Sequence, residues 1–150
     1  MKPKMIKAHM QTAEVYAELS TARRMKVGSI IVKDDRIISI GYNGMPSGWD
    51  NTCEDEVLWG NKDGKQIQYA SPQLKTKPEV LHAEANAIAK VARSPESSDG
   101  ATMFITCSPC LECAKLIYQS GISTVYYRDN YRSDEGLRFL SQTDIVVKQL

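Results

Sequence analysis

The segment ATMFITCSPCLECAKLIYQSGISTVYY, residues 101–127, contains the pattern that decides the fold. Its first part, ATMFIT, is a short apolar run typical of a buried strand. A helix is predicted from near Pro109 to Gly121, because proline is favoured at the first helical position and glycine just past the last. A second apolar run, ISTVYY, follows. Strand, helix and strand in this order predict a parallel pair of strands joined by a right-handed crossover.

The rest of the chain extends this alternation of helices and strands. Apolar residues at helical spacing predict a first helix over about 4–19. Two apolar runs within 27–42, separated by KDDR, predict a β-hairpin, and the alanine-rich segment 80–92 predicts a helix. A short helix and a last strand are predicted within 133–147. The order α-β-β-α-β-α-β-α-β predicts an α/β fold of one domain over 1–150, in which helices cover a central five-stranded sheet.

One long segment does not fit this alternation. Residues 43–78 are rich in Gly, Pro, Asn, Asp and Lys. Because the segment is long for a loop in a compact domain, we expect it to be functional or to contain short helices. Within it, Trp59 is expected to anchor the segment rather than to stack on a ligand.

The composition is that of an ordinary globular protein, with 42% apolar residues, 25% charged residues and a formal net charge of +1. Binding of a long nucleic-acid backbone usually requires a strongly basic face, so we do not expect a nucleic-acid polymer as partner. No apolar run suits a membrane span or an export signal, which predicts a cytoplasmic protein with no membrane partner. In that setting four cysteines favour metal binding or catalysis over a disulfide framework.

Three of the cysteines, Cys107, Cys110 and Cys113, recur at every third position. This spacing alone is compatible with disulfide bonds, a redox pair or a metal site. Cys110 and Cys113 lie one turn apart at a predicted helix start, so they can share one metal ion. His82, at the start of another predicted helix, would complete three protein ligands for zinc and leave its fourth position open for water, the arrangement of a catalytic site.

Glu84 lies two residues after His82, where it can sit beside the metal without binding it. A carboxylate in this position can take a proton from water and hand it to a substrate. HAE at 82–84 followed by PCLEC at 109–113 matches the H-x-E…P-C-x-x-C signature of zinc nucleobase deaminases. The competing interpretation, a structural histidine with buried cysteines, does not explain why both half-motifs occur together. Cys107 is expected to be a buried strand-end thiol, because a fourth protein ligand would close the site.

These motifs resemble the cytidine/deoxycytidylate deaminase superfamily, and most closely its deoxycytidylate (dCMP) deaminases. The resemblance is also carried by VGSIIV at 27–32 and IGYNGMPSG at 40–48. It implies a three-layer α/β/α fold, in which an initial antiparallel hairpin and then parallel strands form a mixed sheet. It further implies hydrolytic deamination of dCMP to dUMP and ammonia, which supplies dUMP for dTMP synthesis. One catalytic Zn²⁺ per subunit and a homohexamer are implied, with dCTP as activator, dTTP as inhibitor and Mg²⁺ accompanying the triphosphate.

The resemblance also implies roles for single residues. His82, Cys110 and Cys113 would bind zinc, and Glu84 would carry protons. Asn43 would bind the sugar 3′-hydroxyl, the Ala83 amide would donate to the pyrimidine O2, and carbonyls near Thr106 and Ser108 would accept from the exocyclic amine. The substrate-binding residues expected in full are Asn43, Ala83, Arg24, Val27, Ser108 and Tyr126. A nucleotide effector is expected near Asn43, Gly44, Ser47, Gly48 and Asp50.

The 5′-phosphate of such a substrate needs a cation. Arg23, Arg24 and Lys26 precede the first predicted strand. Arg24 is the first candidate because a guanidinium group matches the geometry of a phosphate. The alternative for each of the three is a solvated charged face. Tyr126 is the second candidate for the phosphate, with a core position as its alternative.

Other interpretations stay open at this point. Some members of the superfamily bind a second, structural zinc before HAE; Cys53 matches one such position, but no further cysteine lies between it and His82, so no complete second site is expected. Another deaminase of the superfamily, acting on tRNA adenosine, guanine or a pyrimidine-pathway intermediate, is disfavoured by the near-neutral charge and by GYNGMPSG. A non-catalytic nucleotide-sensing zinc module is disfavoured by the presence of Glu84.

Overall fold

The computed structural model describes all 150 residues. A five-stranded sheet lies at the centre of the molecule, four helices pack on it, and a separate two-stranded hairpin projects from one end. The helices are α1 (Pro3–Ala17), α2 (Ala83–Ala92), α3 (Leu111–Gln119) and α4 (Glu135–Ser141). The strands are β1 (Gly28–Lys33), β2 (Arg36–Tyr42), β3 (Glu54–Lys62), β4 (Lys65–Thr76), β5 (Thr102–Cys107), β6 (Thr124–Asp129) and β7 (Val146–Gln149). None of the four helices combines the length and the apolar composition that crossing a membrane would need.

The central sheet is mixed, with strand order β2-β1-β5-β6-β7. Strand β1 pairs antiparallel with both β2 and β5, whereas β5, β6 and β7 are parallel. Helices α3 and α4 form the crossovers between the parallel strands, as the alternating sequence pattern requires. The predicted mixed five-stranded sheet is therefore confirmed.

Alternate side chains of the strands pack on opposite faces of the sheet, which produces three layers. On one face, side chains such as Ile31, Met103 and Ile105 pack against α2, α3 and α4. On the other face, Ile30 and Phe104 pack against α1. Because the central strands are buried on both faces, they are nearly continuous apolar runs in the sequence, which is why they could be predicted.

The long segment before α2 forms a β-hairpin and not short helices, which leaves a functional role as the remaining alternative of the prediction. Strands β3 and β4 pair antiparallel with a register irregularity between Val57 and Trp59. Their tight turn is Asp63-Gly64, and both residues have a positive φ, as a type I′ turn requires. Trp59 is 52% exposed, so burial of its side chain does not provide the anchor expected for this segment.

The start of α2 is fixed closely against the sheet. The Ser29 hydroxyl donates to the Ala83 carbonyl over 2.9 Å, and the Ser39 hydroxyl donates to the Ala87 carbonyl over 2.7 Å. Gly41 faces the same turn of the helix, where any β-carbon would overlap the Ala83 carbonyl oxygen. The sheet therefore sets the position of the helix end that carries His82 and Glu84.

Candidate active site

The starts of α2 and α3 bring the three predicted metal ligands together. His82 and Cys110 are the N-cap residues of the two helices, and Cys113 lies in the first turn of α3. The His82 Nδ1 atom is 3.5 Å from the Cys110 Sγ atom and 3.4 Å from the Cys113 Sγ atom. A tetrahedral zinc ion with sulfur at about 2.3 Å and nitrogen at about 2.0–2.1 Å would separate these atoms by roughly 3.6 Å. The geometry and the donor atoms therefore fit zinc.

The helix start favours a thiolate at Cys110. The adjacent Cys113 thiol, the His82 ring and the Cys113 backbone N–H together hold the pKa of Cys110 down to about 4. The Cys110 sulfur in turn raises the pKa of His82 above its ordinary value. Cys113 keeps its proton, because its hydrogen bond to Cys110 and its burial raise its pKa. Cys110 thus has the ionisation state that a metal ligand needs, and a bound cation would displace the proton of Cys113.

Glu84 occupies the first turn of α2, beside these ligands, and is 5% exposed. Burial raises the pKa of its carboxyl group, because a charged carboxylate is disfavoured away from water. A carboxyl group with a raised pKa can take up and release a proton nearer to neutral pH. This environment suits the predicted role of Glu84 as a proton carrier.

A cavity of about 190 Å³ opens next to the metal ligands. His82, Glu84 and Cys110 lie on its wall. Five of the six predicted substrate-binding residues also line it, namely Arg24, Val27, Asn43, Ala83 and Ser108. The structure therefore brings the predicted ligands, proton carrier and most of the predicted substrate contacts to one place.

Asn43 fastens the segment that enters β1. Its Oδ1 atom accepts from the Val27 N–H over 2.8 Å, and its Nδ2 atom donates to the Met25 carbonyl over 2.9 Å. An amide oxygen has two lone pairs and an amide nitrogen has two protons, so each atom can make a second hydrogen bond. Asn43 can therefore hold this segment and still bind a sugar hydroxyl.

For Tyr126 the structure favours the core position, which was the alternative to a phosphate contact. This residue is 8% exposed and belongs to the core layer against α1, where its ring stacks on Phe104 with centroids 5.0 Å apart. It is not part of the cavity wall. The physical reason is the alternation along β6, which turns Tyr126 to the same face of the sheet as Phe104 on β5.

Tyr131 and Arg132 are among the cavity residues that do not belong to the predicted site. They follow β6 in a loop that is attached to the turn between β5 and α3, because the Ser108 hydroxyl accepts from the Tyr131 N–H over 2.7 Å. Their only signal in the sequence is position: they follow a predicted parallel strand, and the carboxyl ends of parallel strands form ligand sites.

The remaining predicted positions lie as follows. Cys107 is a buried thiol at the end of β5, as expected, and burial raises its pKa to about 11. Cys53 is buried in a small apolar cluster with Ala22 and Val80. Of the predicted effector residues, only Asn43 lines the cavity; Gly44 pairs with Leu81, and Asp50 accepts from the Thr52 N–H. Gly44, Ser47, Gly48 and Asp50 are all at least partly exposed, so binding of an effector there stays a prediction.

Comparisons with known proteins agree with the motifs. Residues 3–129 match the family model described as the cytidine and deoxycytidylate deaminase zinc-binding region. The deoxycytidylate deaminase of Enterobacteria phage T4 is 36% identical, with 81% of this chain and 76% of that protein covered. The human deoxycytidylate deaminase is 40% identical, with 84% and 66% covered. The dCMP deaminase from cyanophage S-TIM5, crystallised in complex with dCMP and dUMP, is 42% identical in sequence and matches with a TM-score of 0.85. This match covers 100% of this chain and 99% of that chain.

Proposed function

Because the chain belongs to the cytidine and deoxycytidylate deaminase family, we propose that it is a dCMP deaminase that hydrolyses dCMP to dUMP and ammonia. The observation that carries this proposal is the His82–Cys110–Cys113 cluster with Glu84 beside it in one cavity. The names of its relatives support the same substrate, since the cyanophage enzyme was crystallised with dCMP and dUMP.

The donor set supports zinc as the cofactor, at one ion per subunit. One imidazole nitrogen and two cysteine sulfurs are typical zinc ligands, and three of them leave a fourth position open. When bound there, zinc would act as a Lewis acid and lower the pKa of a water molecule.

The residues around this position would direct the reaction. Glu84 would take one proton from the attacking water and deliver it to N3 of the cytosine ring, and would then carry the second proton of the water to the exocyclic amine so that this group leaves as ammonia. Ala83 lies in the first turn of α2, where a backbone N–H has no partner in the helix and can donate to the pyrimidine O2. Carbonyl groups near Thr106 and Ser108 would accept from the exocyclic amine that leaves as ammonia. Because these groups are already in position, they can stabilise the charge that develops in the transition state without first having to reorient.

Two guanidinium groups support a nucleotide substrate rather than a nucleoside. Arg24 and Arg132 both line the cavity, although neither is required by the zinc chemistry. A terminal phosphate presents several oxygens, and guanidinium groups bind them through paired N–H donors. We therefore assign the 5′-phosphate to Arg24 and Arg132, and the sugar hydroxyl to Asn43.

A substrate panel tests the proposal. Release of ammonia would be measured with dCMP, deoxycytidine, cytidine, guanine and a tRNA anticodon arm, with the Glu84→Gln variant as background control. We expect dCMP to have the highest kcat/KM. Ammonia release from another member of the panel with dCMP inert would show that the substrate is different.

The resemblance supports further proposals on regulation and setting. We propose that dCTP with Mg²⁺ activates the enzyme and dTTP inhibits it, through the exposed segment around Gly44, Ser47, Gly48 and Asp50.

We also propose a cytoplasmic homohexamer that supplies dUMP for dTMP synthesis. Activity measured against dCTP and dTTP concentration, and sedimentation equilibrium with each nucleotide, would test regulation and assembly separately.

A further inference from the structure

The β3–β4 hairpin has no role in the site as described so far, although its base touches the cavity. We propose that this base is a clamp that positions Arg24 for the substrate phosphate, with Glu54 as the main positioning residue. The inference rests on the proposed function, because it concerns a phosphate-bearing substrate. It assigns a role to the segment that the sequence motifs leave unexplained.

Glu54 holds the consecutive backbone N–H groups of Arg23 and Arg24. Its side chain is almost completely buried, at 3% exposure. Its Oε1 atom accepts from the Arg23 N–H over 2.8 Å and from the Arg24 N–H over 3.1 Å. One oxygen with two lone pairs can accept both bonds, so this arrangement fixes the two consecutive amides in direction.

Thr76 holds the other end of Arg24. It is the direct cross-strand partner of Glu54 where the hairpin opens towards the cavity. Its Oγ1 atom accepts from the Arg24 Nη1 atom over 3.2 Å. One pair of residues at the hairpin base therefore fixes both the backbone and the guanidinium group of Arg24. Fixing a long side chain before binding lowers the entropy that phosphate binding would otherwise cost.

Further contacts hold the hairpin base and the arginine segment beside the cavity. Cys53, directly before Glu54, packs with Ala22 and Val80 in a buried apolar cluster. On the opposite side, Asn43 binds the backbone of Met25 and Val27. The arginine segment is thus held from the hairpin on one side and from the end of β2 on the other.

The second carboxylate oxygen of Glu54 suggests which contacts matter. Oε2 is buried and has no hydrogen-bond partner, and Glu54 makes no salt bridge. Burying an unpaired carboxylate oxygen is unfavourable, so the two bonds accepted by Oε1 are the contacts that keep the side chain there. A glutamine retains an acceptor at Oε1 without the charge, so it should preserve the clamp.

The test compares Glu54→Ala, Glu54→Gln and Thr76→Val with the control Glu56→Gln. Glu56 lies on the same strand, is exposed, and contacts the Arg23 guanidinium group instead. Each protein would be assayed for kcat and KM with dCMP and with deoxycytidine, which lacks the phosphate. Binding of dUMP and of deoxyuridine would be measured by calorimetry, so that affinity is obtained without turnover.

We expect Glu54→Ala to raise the KM for dCMP and weaken dUMP binding by about 10-fold or more, with kcat changed by less than about 3-fold. Thr76→Val should raise the same KM by roughly 3-fold to 10-fold. Glu54→Gln and Glu56→Gln should stay close to wild type. Kinetics with deoxycytidine and binding of deoxyuridine should be unchanged in all four variants.

Equal losses with dCMP and deoxycytidine would show that the hairpin base is only structural and would overturn the inference. If Glu54→Ala does not fold, the nearly isosteric Thr76→Val decides between the same two outcomes. If the wild type deaminates dCMP but the variants lose activity equally with dCMP and deoxycytidine, only this inference is contradicted. A wild-type chain inert towards dCMP would overturn the proposed function, and the clamp with it.

Discussion

Glu84 is separated from His82 by one residue, yet the two side chains meet different surroundings. His82 is the N-cap of α2 and faces the cysteines, whereas Glu84 is buried in the first turn. The raised pKa that burial gives to Glu84 suits the proton exchange proposed for it, and the lowered pKa of Cys110 beside His82 suits the proposed metal ligand. Neighbouring positions on one turn thus supply two chemical roles.

The role of Glu84 predicts the behaviour of Glu84→Gln. The variant should lose turnover by about 10²-fold to 10⁴-fold, because glutamine cannot transfer a proton in the transition state. Zinc content should stay near one ion per subunit, since Glu84 is not among the ligands. Rate measurements combined with metal analysis would check both parts. Loss of zinc together with activity would mean that Glu84 supports the metal instead.

The cavity position of Arg132 predicts a defect confined to phosphate-bearing substrates. Arg132→Ala should raise the KM for dCMP by about 10-fold or more, because a charged hydrogen bond to the phosphate is removed. Kinetics with deoxycytidine should not change. Arg138→Ala is the matched control, since Arg138 lies in the next helix and forms only an exposed ion pair with Asp134. A similar effect of both variants would indicate a general loss of positive charge.

Single residues also show what the sequence alone could predict. His82, Glu84 and the cysteine pair could be identified because short spacing on a helix start restricts where their atoms point. Tyr131 and Arg132 could not, because a loop after a strand carries no periodic pattern. For Tyr126 a phosphate contact and a core position could not be distinguished, because nothing in one strand tells which of its two faces meets the cavity.

At the level of elements, α4 supports the turn between β5 and α3 by close contact. Gly136, the second residue of α4, packs against the backbone of Pro109 and Cys110. A β-carbon at this position would overlap the Pro109 carbonyl oxygen. The absent side chain therefore lets a short helix fix the turn that carries two of the proposed zinc ligands.

Gly136→Ala should consequently weaken zinc binding. We expect an affinity loss on the order of 10-fold, comparable with the loss of other groups that orient metal ligands. A chelator competition titration would measure it, with Glu135→Ala as the control because Glu135 is exposed on the same helix turn. Unchanged affinity in Gly136→Ala would show that the turn keeps its geometry without α4.

The elements of the sheet and the hairpin differ in how well the sequence predicts them. The sheet strands and their helices follow from apolar periodicity, because burial on one or both faces selects apolar residues. Strands β3 and β4 are mostly exposed, so burial leaves no such pattern in them. Their one local signal is Asp63-Gly64, a dipeptide that favours a two-residue hairpin turn.

For the whole molecule, the layer formed by α1 contains a buried ionisable group. His9 is 6% exposed, its ring lies 5.2 Å from that of Phe104, and its Nε2 atom has no partner. Burial lowers the pKa of His9, and the charge of Asp35 opposes this shift only in part. The folded protein therefore holds this histidine neutral at pH values where the unfolded chain would protonate it.

The free energy of unfolding should accordingly decrease as the pH falls below about 6.5, the ordinary pKa of histidine. Above about pH 7.5 both states carry a neutral His9, so the residue gives no pH dependence there. The slope from one such group cannot exceed about 1.4 kcal/mol per pH unit. Urea denaturation of wild type and His9→Gln between pH 5 and 8 would isolate this contribution, because all other groups are shared. Parallel pH profiles for the two proteins would contradict it.

The position of the metal ligands on the starts of α2 and α3 has a consequence for protein engineering. Both helices are packed against the rigid sheet, whereas the residues assigned to sugar and phosphate come from the chain segments before β1, after β2 and after β6. The reaction centre and the parts that choose the substrate are thus separate modules of the chain. Exchanging the recognition segments between related enzymes should redirect the same hydrolytic chemistry to substrates with a different sugar or phosphate group on the same base.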